Sequence, residues 1–211
     1  ALFLRLPLLN QSLWLDEAIE ALALQGYYGP LLTYAISDFQ PPLYHFLLKA
    51  WTMLAGYSEI ALRLPSLLAG VALVYVTAQL GEHIFSRRTG LMSGLLVATN
   101  PLLIYYSQEG RTYALTTLFV TMSFYYLLRL LNTHKSPTLI ITSYILSTIA
   151  ALWSSYLAWF AILLQLGYLL YLRRYDLARW TVLALLTLIL WLPLFMRSLT
   201  LGLGDAATTP K

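Results

Sequence analysis

Six long apolar runs, at residues 60–80, 90–106, 113–128, 138–153, 156–172 and 178–196, follow one another with only short polar breaks between them. A soluble domain cannot bury so many apolar helices around one core, whereas a bilayer hides each of them at about 20 residues per span. Composition agrees: 59% of the 211 residues are hydrophobic and 10% are charged, against about a quarter charged in soluble domains. The expected fold is an all-α polytopic membrane helix bundle with six full spans and a truncated first. The run at 1–9 covers about half a bilayer and lacks the basic stretch and cleavage site of a signal peptide. We expect it to be the end of a cut helix and the chain to be a fragment. As one helix, residues 138–172 would measure roughly 52 Å, too long for a ~30 Å hydrocarbon core. Two short spans turning at Ser154-Ser155 are expected instead.

The few charges are sorted. If the first run exits outward, the loops at 81–89, 129–137 and 173–179 lie inside. They carry Arg87, Arg88, Arg129, Lys135, Arg173, Arg174 and Arg179 against only Glu82 and Asp176. The rest of the chain holds six basic and seven acidic residues. This bias obeys the positive-inside rule, so the net charge of +4 reports topology and not affinity for nucleic acid. The expected setting is a membrane crossed many times, with the loop at 10–58 on its outer side. There is no cysteine, which excludes disulfides and thiolate metal sites.

Residues 10–58 form the first outside loop, far longer than the ~2–8 residues usual between bundle helices. Two juxtamembrane helices are expected in it. One runs over 13–25. The other, over 43–54, puts Leu43, Phe46, Leu47, Ala50, Trp51 and Leu54 on one stripe with His45, Lys49 and Thr52 off it, the pattern of a helix lying on a membrane. Gly26, Gly29 and Pro30 break the chain between them, and Pro41-Pro42 hold Gln40 extended before the second helix starts.

Two clusters carry chemistry. In Trp14-Leu15-Asp16-Glu17, Asp16 reads either as an N-cap, with Glu17 and Glu20 as first-turn acids on the helix dipole, or as a reactive carboxylate. Consecutive helical residues diverge by about 100°, so Asp16 and Glu17 cannot both aim at one atom. The second cluster, residues 105–113, is the outside turn between the third and fourth spans. Glu109 suits a helix N-terminus there, whereas Arg111 opposes the dipole and calls for an anion, either a neighbouring carboxylate or a ligand. Arg63 follows Glu59 by four residues, the spacing of a local ion pair. His45 and Lys49 read as the wet face of the interfacial helix, and Asn100-Pro101 as a kink in the third span. His45, His83 and His134 fall on different segments and do not form one site.

Taken in order, Leu13-Trp14-Leu15-Asp16-Glu17-Ala18, Gln40-Pro41-Pro42-Leu43-Tyr44, Ser58-Glu59-Ile60-Ala61-Leu62-Arg63-Leu64-Pro65-Ser66, Asn100-Pro101 and Tyr106-Ser107-Gln108-Glu109-Gly110-Arg111-Thr112-Tyr113 form a set. The set resembles bacterial C-type (GT-C) glycosyltransferases of the protein O-mannosyltransferase and lipid A aminoarabinose transferase superfamily. The resemblance runs over about 1–196. It implies a multi-spanning fold whose first outside loop carries a catalytic acid, and a polyprenyl-phosphate sugar as donor. By that resemblance Asp16 is the favoured catalytic carboxylate, Glu17 its companion and Glu109 the second outside acid. Arg111 and Arg63 are expected at the donor phosphate, and Gln40, Tyr44, Lys49, Gln108 and Tyr113 at the substrates. The chain departs from the family at Gln40, where His or Lys is common, and at Ser155-Tyr156, where many members have His-Tyr. Residues 1–196 would form the N-terminal membrane module, and 197–211 an outside tail leading to an absent C-terminal part.

A lipid-linked sugar phosphate keeps its chain in lipid and its phosphate and sugar at the interface, where both clusters lie. The expected function is transfer of that sugar to an outside protein, lipid or polysaccharide by inverting displacement. Asp16 would act as general base, worth ~10²–10⁴-fold, and Arg111 would stabilise the departing phosphate. No cofactor is expected; a divalent cation between Asp16 and Glu109 is chemically allowed, but too few ligands are visible to predict one. The alternatives are a lipid or solute transporter and a ligand-free scaffold subunit. Transporters gather polar groups near the midplane, whereas these spans have nearly charge-free centres, where a charge costs ~2.5–3.5 kcal/mol.

Overall fold

The computed structural model describes residues 1–38, 40–132, 138–187 and 196. Among these residues every regular element is a helix. A single turn, α1 (Leu2–Arg5), leads into the long loop at 10–58, which carries three helices where two were expected: α2 (Leu15–Leu24), α3 (Leu31–Ser37) and α4 (Leu43–Ala55). α3 spans 7 residues, too few to show a hydrophobic period, and Pro30 immediately before it fixes the entry.

The bundle follows as α5 (Glu59–Ile84), α6 (Arg87–Thr99), α7 (Pro101–Ser107), α8 (Tyr113–Leu131), α9 (Thr138–Ser154), α10 (Ala158–Tyr171) and α11 (Tyr175–Leu186). α5 and α8 are long and apolar enough to cross a membrane, and α9 and α10 are shorter apolar helices that part at Ser154-Ser155 as the length argument requires. The third apolar run is two helices, α6 and α7, meeting at Asn100-Pro101. The last apolar run begins in α11, but residues 188–195 and the tail 197–211 lie outside the described residues, as do His134 and Lys135.

Two prolines deprive a helix of a backbone bond, and each time a distant side chain replaces it. Pro65 in α5 has no N–H for Ala61 O, four residues back; the Trp51 indole of α4 donates to that carbonyl at 2.8 Å. Pro101 has none for Val97 O, and Asn100 leaves the helical conformation with ψ 120°. The fully buried Arg5 guanidinium fills this gap. It donates to Val97 O at 3.2 Å, Ala98 O at 3.1 Å and Ser107 Oγ at 3.1 Å. Asn100 Oδ1 accepts from Leu103 N and starts α7.

α5 and α6 pack through small residues, the means by which membrane helices bring backbones close. A Cβ on Gly90 would stand 2.5 Å from Ala78 O, and Gly81 and Gly94 share the seam. Further along, Ser123, Tyr144, Gln165 and Thr181 join α8 to α11 through hydrogen bonds of 2.7, 2.8 and 3.3 Å, so polar groups buried in the bundle satisfy one another.

The loop at 10–58 is part of the core. Ala21 and Leu24 of α2 and Tyr44 and Leu48 of α4 pack with Leu62, Ala69 and Leu73 of α5 and Leu115 and Leu118 of α8. α4 corrects the expectation for its faces. Tyr44, His45, Leu48 and Thr52 are buried, while Phe46, Ala50, Met53 and Leu54 are exposed. The face predicted to be wet points inward because the protein supplies carboxylates for His45, and the exposed apolar face suits lipid.

Candidate active site

Glu17 ties the site together. Its carboxylate accepts from Arg63 Nε at 3.0 Å and Arg63 Nη2 at 2.6 Å, from Gly110 N at 2.6 Å and from Trp14 N at 3.1 Å. One side chain thus joins the start of α2, the first turns of α5 and the loop between α7 and α8. Burial would raise its pKa, but the Arg63 bonds and the two amides outweigh burial and hold the carboxyl below the usual range. Arg63 is saturated in return: beyond Glu17 it donates to the carbonyls of Leu8, Leu9, Gln11 and Ser12 at 2.8–3.2 Å. The local Glu59–Arg63 pair allowed by the sequence does not form; Arg63 reaches α2 instead. No N–H of Arg63 is left over for a phosphate.

Asp16, one residue earlier, behaves oppositely. The N-cap of α2 is Trp14, so Asp16 lies inside the first turn and is exposed. With Trp14, Leu15, Glu17, Tyr105, Tyr106, Glu109, Arg111 and Tyr113 it lines an open cleft of about 390 Å³. A second cavity of about 230 Å³ shares Asp16 and Arg111 and adds Ile19, Tyr34 and Asp38. Among the described residues neither Asp16 nor Arg111 forms an ion pair. The Arg111 backbone is nonetheless fixed: its carbonyl accepts from Ser66 Oγ at 3.0 Å, and the next residue, Thr112, donates to Ser154 O at 2.7 Å. Burial works against the Arg111 charge, but the fields of Asp38 and Asp16 outweigh it and raise its pKa.

Of the sequence-predicted residues, Asp16, Glu17, Glu109, Arg111 and Tyr113 therefore line one cleft. The others are placed elsewhere. Lys49 donates to Leu24 O at 2.5 Å and caps the last turn of α2. Tyr44 is in the core, 3% exposed, and burial raises the pKa of its phenol. Gln108 stitches the turn to the first segment through Pro7 O at 2.6 Å. Gln40 is half-buried and lines neither cavity.

A row of groups behind the cleft was not anticipated. His45, 2% exposed, faces Glu20 through Nδ1 at 2.7 and 3.0 Å and Asp38 through Nε2 at 3.2 Å. Tyr34 donates to Glu20 at 3.1 Å. Burial disfavours the imidazolium, yet the bonds to Asp38 and Glu20 prevail and push its pKa up to about 9. The helical period held the clue: Glu17, Glu20, Ala21 and Leu24 are spaced i, i+3, i+4 and i+7, one face of α2, and all are buried. Carboxylates on a buried face require cationic or donor partners, which Arg63, His45 and Tyr34 supply.

Comparison with known proteins gives one family match. The family model for dolichyl-phosphate-mannose-protein mannosyltransferases covers residues 39–197, a segment holding Arg63, Glu109 and Arg111 but starting after Asp16 and Glu17. No curated protein and no solved structure matches significantly. The matched segment takes in most of the 211-residue chain and all of the bundle from α5 to α11. The chain belongs to the dolichyl-phosphate-mannose-protein mannosyltransferase family, membrane glycosyltransferases of the C type.

Proposed function

We propose that the cleft lies on the outer face of a bacterial cytoplasmic membrane and transfers a sugar from a polyprenyl-phosphate donor to an acceptor hydroxyl, with inversion. The observation that carries this reading is the pairing pattern. Glu17 and Arg63 neutralise each other inside the protein, while Asp16 and Arg111 share the cleft without an ion-pair partner among the described residues. A free carboxylate and a free guanidinium match the two demands of the reaction. The acceptor O–H loses its proton to the Asp16 carboxylate as its oxygen attacks the anomeric carbon. The bond from that carbon to the phosphate oxygen breaks, its electron pair leaving with the polyprenyl phosphate. Arg111 pairs with the charge that grows there. Glu109 and Tyr113, on the same walls, accept and donate hydrogen bonds to the sugar.

The test is sugar transfer from a radiolabelled polyprenyl-phosphate sugar by the protein in proteoliposomes. Asp16→Asn should lower turnover by about 10²–10⁴-fold with the protein folded and inserted, and Arg111→Ala should weaken use of the donor. Wild-type turnover in Asp16→Asn would remove Asp16 as the base. Donor binding without transfer in every form would point to a lipid-binding or transport protein.

A further inference from the structure

We propose that the groove between α10 and α11 binds one anionic phospholipid, with an acyl chain in the groove and the phosphate on Arg179. Leu166 and Leu170, in the second half of α10, face Ala178, Val182 and Leu183 of α11 across a cavity of about 410 Å³. Tyr175 and Arg179 complete the lining. Leu170, Val182 and Leu183 are exposed, so the groove offers a hydrocarbon chain a matching surface. From Tyr175 to Leu183 the helix rises about 12 Å, close to the ~15 Å depth of one leaflet.

An arginine in such a lining needs a counter-charge, and the protein withholds the one at hand. Asp176 stands three residues before Arg179, the spacing of a local ion pair, but both of its oxygens are taken by Arg174 at 3.2 Å. Among the described residues Arg179 makes no hydrogen bond or ion pair. Helical side chains tilt toward the N-terminus, which leans the Arg179 stem toward the α10–α11 turn. The positive-inside rule assigns that end to the cytoplasm, where the leaflet is rich in anionic lipid and basic pockets between membrane helices hold its headgroups. Tyr175, 60% exposed at the rim, adds a hydroxyl donor for the same phosphate. A helix of a second copy, being apolar, would bury the Arg179 charge unmet. α10 starts beside Ser154, whose carbonyl bonds Thr112 next to the cleft. The groove lies at the far end of α10, so lipid binding there stands apart from the proposed reaction.

The probes are phosphatidylglycerol and phosphatidylcholine with identical acyl chains, offered to the full-length protein in detergent and followed by native mass spectrometry. The first phosphatidylglycerol should bind about 5-fold more tightly than the first phosphatidylcholine, the factor one arginine supplies near a membrane surface. Arg179→Gln should erase that preference. Val182→Trp, which fills the groove and leaves the charge in place, should lower retention of both lipids. Arg87→Gln removes an exposed charge at the α5–α6 turn and should leave the preference unchanged. Equal binding of the two lipids by wild type, or unchanged retention in Val182→Trp, would overturn the site. Equal losses in Arg87→Gln and Arg179→Gln would do so too, reducing the effect to general surface charge. A concentration-dependent dimer that Val182→Trp dissociates would assign the groove to a second copy instead. Sugar transfer is measured in no arm, so the outcome is independent of the cleft.

Discussion

At the scale of single residues, Glu17 and Arg63 are 3% and 2% exposed and depend on each other. Removing one partner of a buried ion pair leaves an uncompensated charge and typically costs about 3–5 kcal/mol. Arg63→Met should therefore lower the unfolding midpoint of the detergent-solubilised protein sharply, whereas the exposed Asp16→Asn should stay within about 0.5 kcal/mol of wild type. Equal effects on the two would contradict this division of roles. Acid should act through the same pair. The Glu17 carboxyl titrates lower in the folded state than its ordinary 4.5, so the unfolded chain takes up the proton first as pH falls. Its contribution is complete above about pH 4.5 and is lost as pH drops through the lowered folded value. A melting series from neutral pH downward should show this loss in wild type and a flatter profile in Glu17→Gln. The sequence made part of this readable: the 100° between neighbouring helical side chains already denied Asp16 and Glu17 a common target. Which of the two was left without an ion-pair partner depended on Arg63, 46 residues from Glu17, and local spacing instead offered Glu59 as the partner of Arg63.

At the scale of elements, each proline states in advance which carbonyl will lack a donor, the one four residues earlier. The kink at Asn100-Pro101 was legible for that reason, and the expected bend is a break between α6 and α7. The replacement donors were not legible, because Arg5 reaches Val97 across 92 positions and is fixed only once α1 docks. Trp51 allows a clean test. Trp51→Phe keeps an aromatic ring on α5 but strands Ala61 O, an unmade hydrogen bond worth about 1–3 kcal/mol. Pro65→Ala returns a backbone N–H to the same carbonyl. The double variant Trp51→Phe/Pro65→Ala should thus be more stable than Trp51→Phe alone, a coupling to be read from thermal melts. Strict additivity of the two changes would show that the indole bond contributes nothing to holding α4 on α5. The inverted faces of α4 teach a related lesson. A stripe count separates apolar from polar positions but does not say which set meets the protein when lipid covers the other side.

For the whole molecule, the bundle was legible because a bilayer imposes its own arithmetic, about 20 apolar residues per span with all backbone bonds made internally. The docking of the 10–58 loop was not, since it rests on contacts such as Leu24 and Leu48 with Leu62 and Leu115 that no local pattern announces. Orientation is the remaining large-scale quantity, and two physical arguments meet on it. The basic residues gather at the α5–α6 turn and at the end of α10, which the positive-inside rule assigns to the cytoplasm. The cleft lies at the opposite end of α5, a helix of 26 residues, or about 39 Å at 1.5 Å per residue. The expected arrangement therefore puts charge and cleft on opposite faces of the membrane. The chain has no cysteine, so single cysteines can be read without background. Tyr27→Cys, in the exposed turn after α2, should react with a membrane-impermeant maleimide in intact cells. Glu82→Cys, exposed near the inner end of α5, should react only after the membrane is opened. The reverse pattern would put the cleft in the cytoplasm, where the donor and acceptor would have to be sought instead.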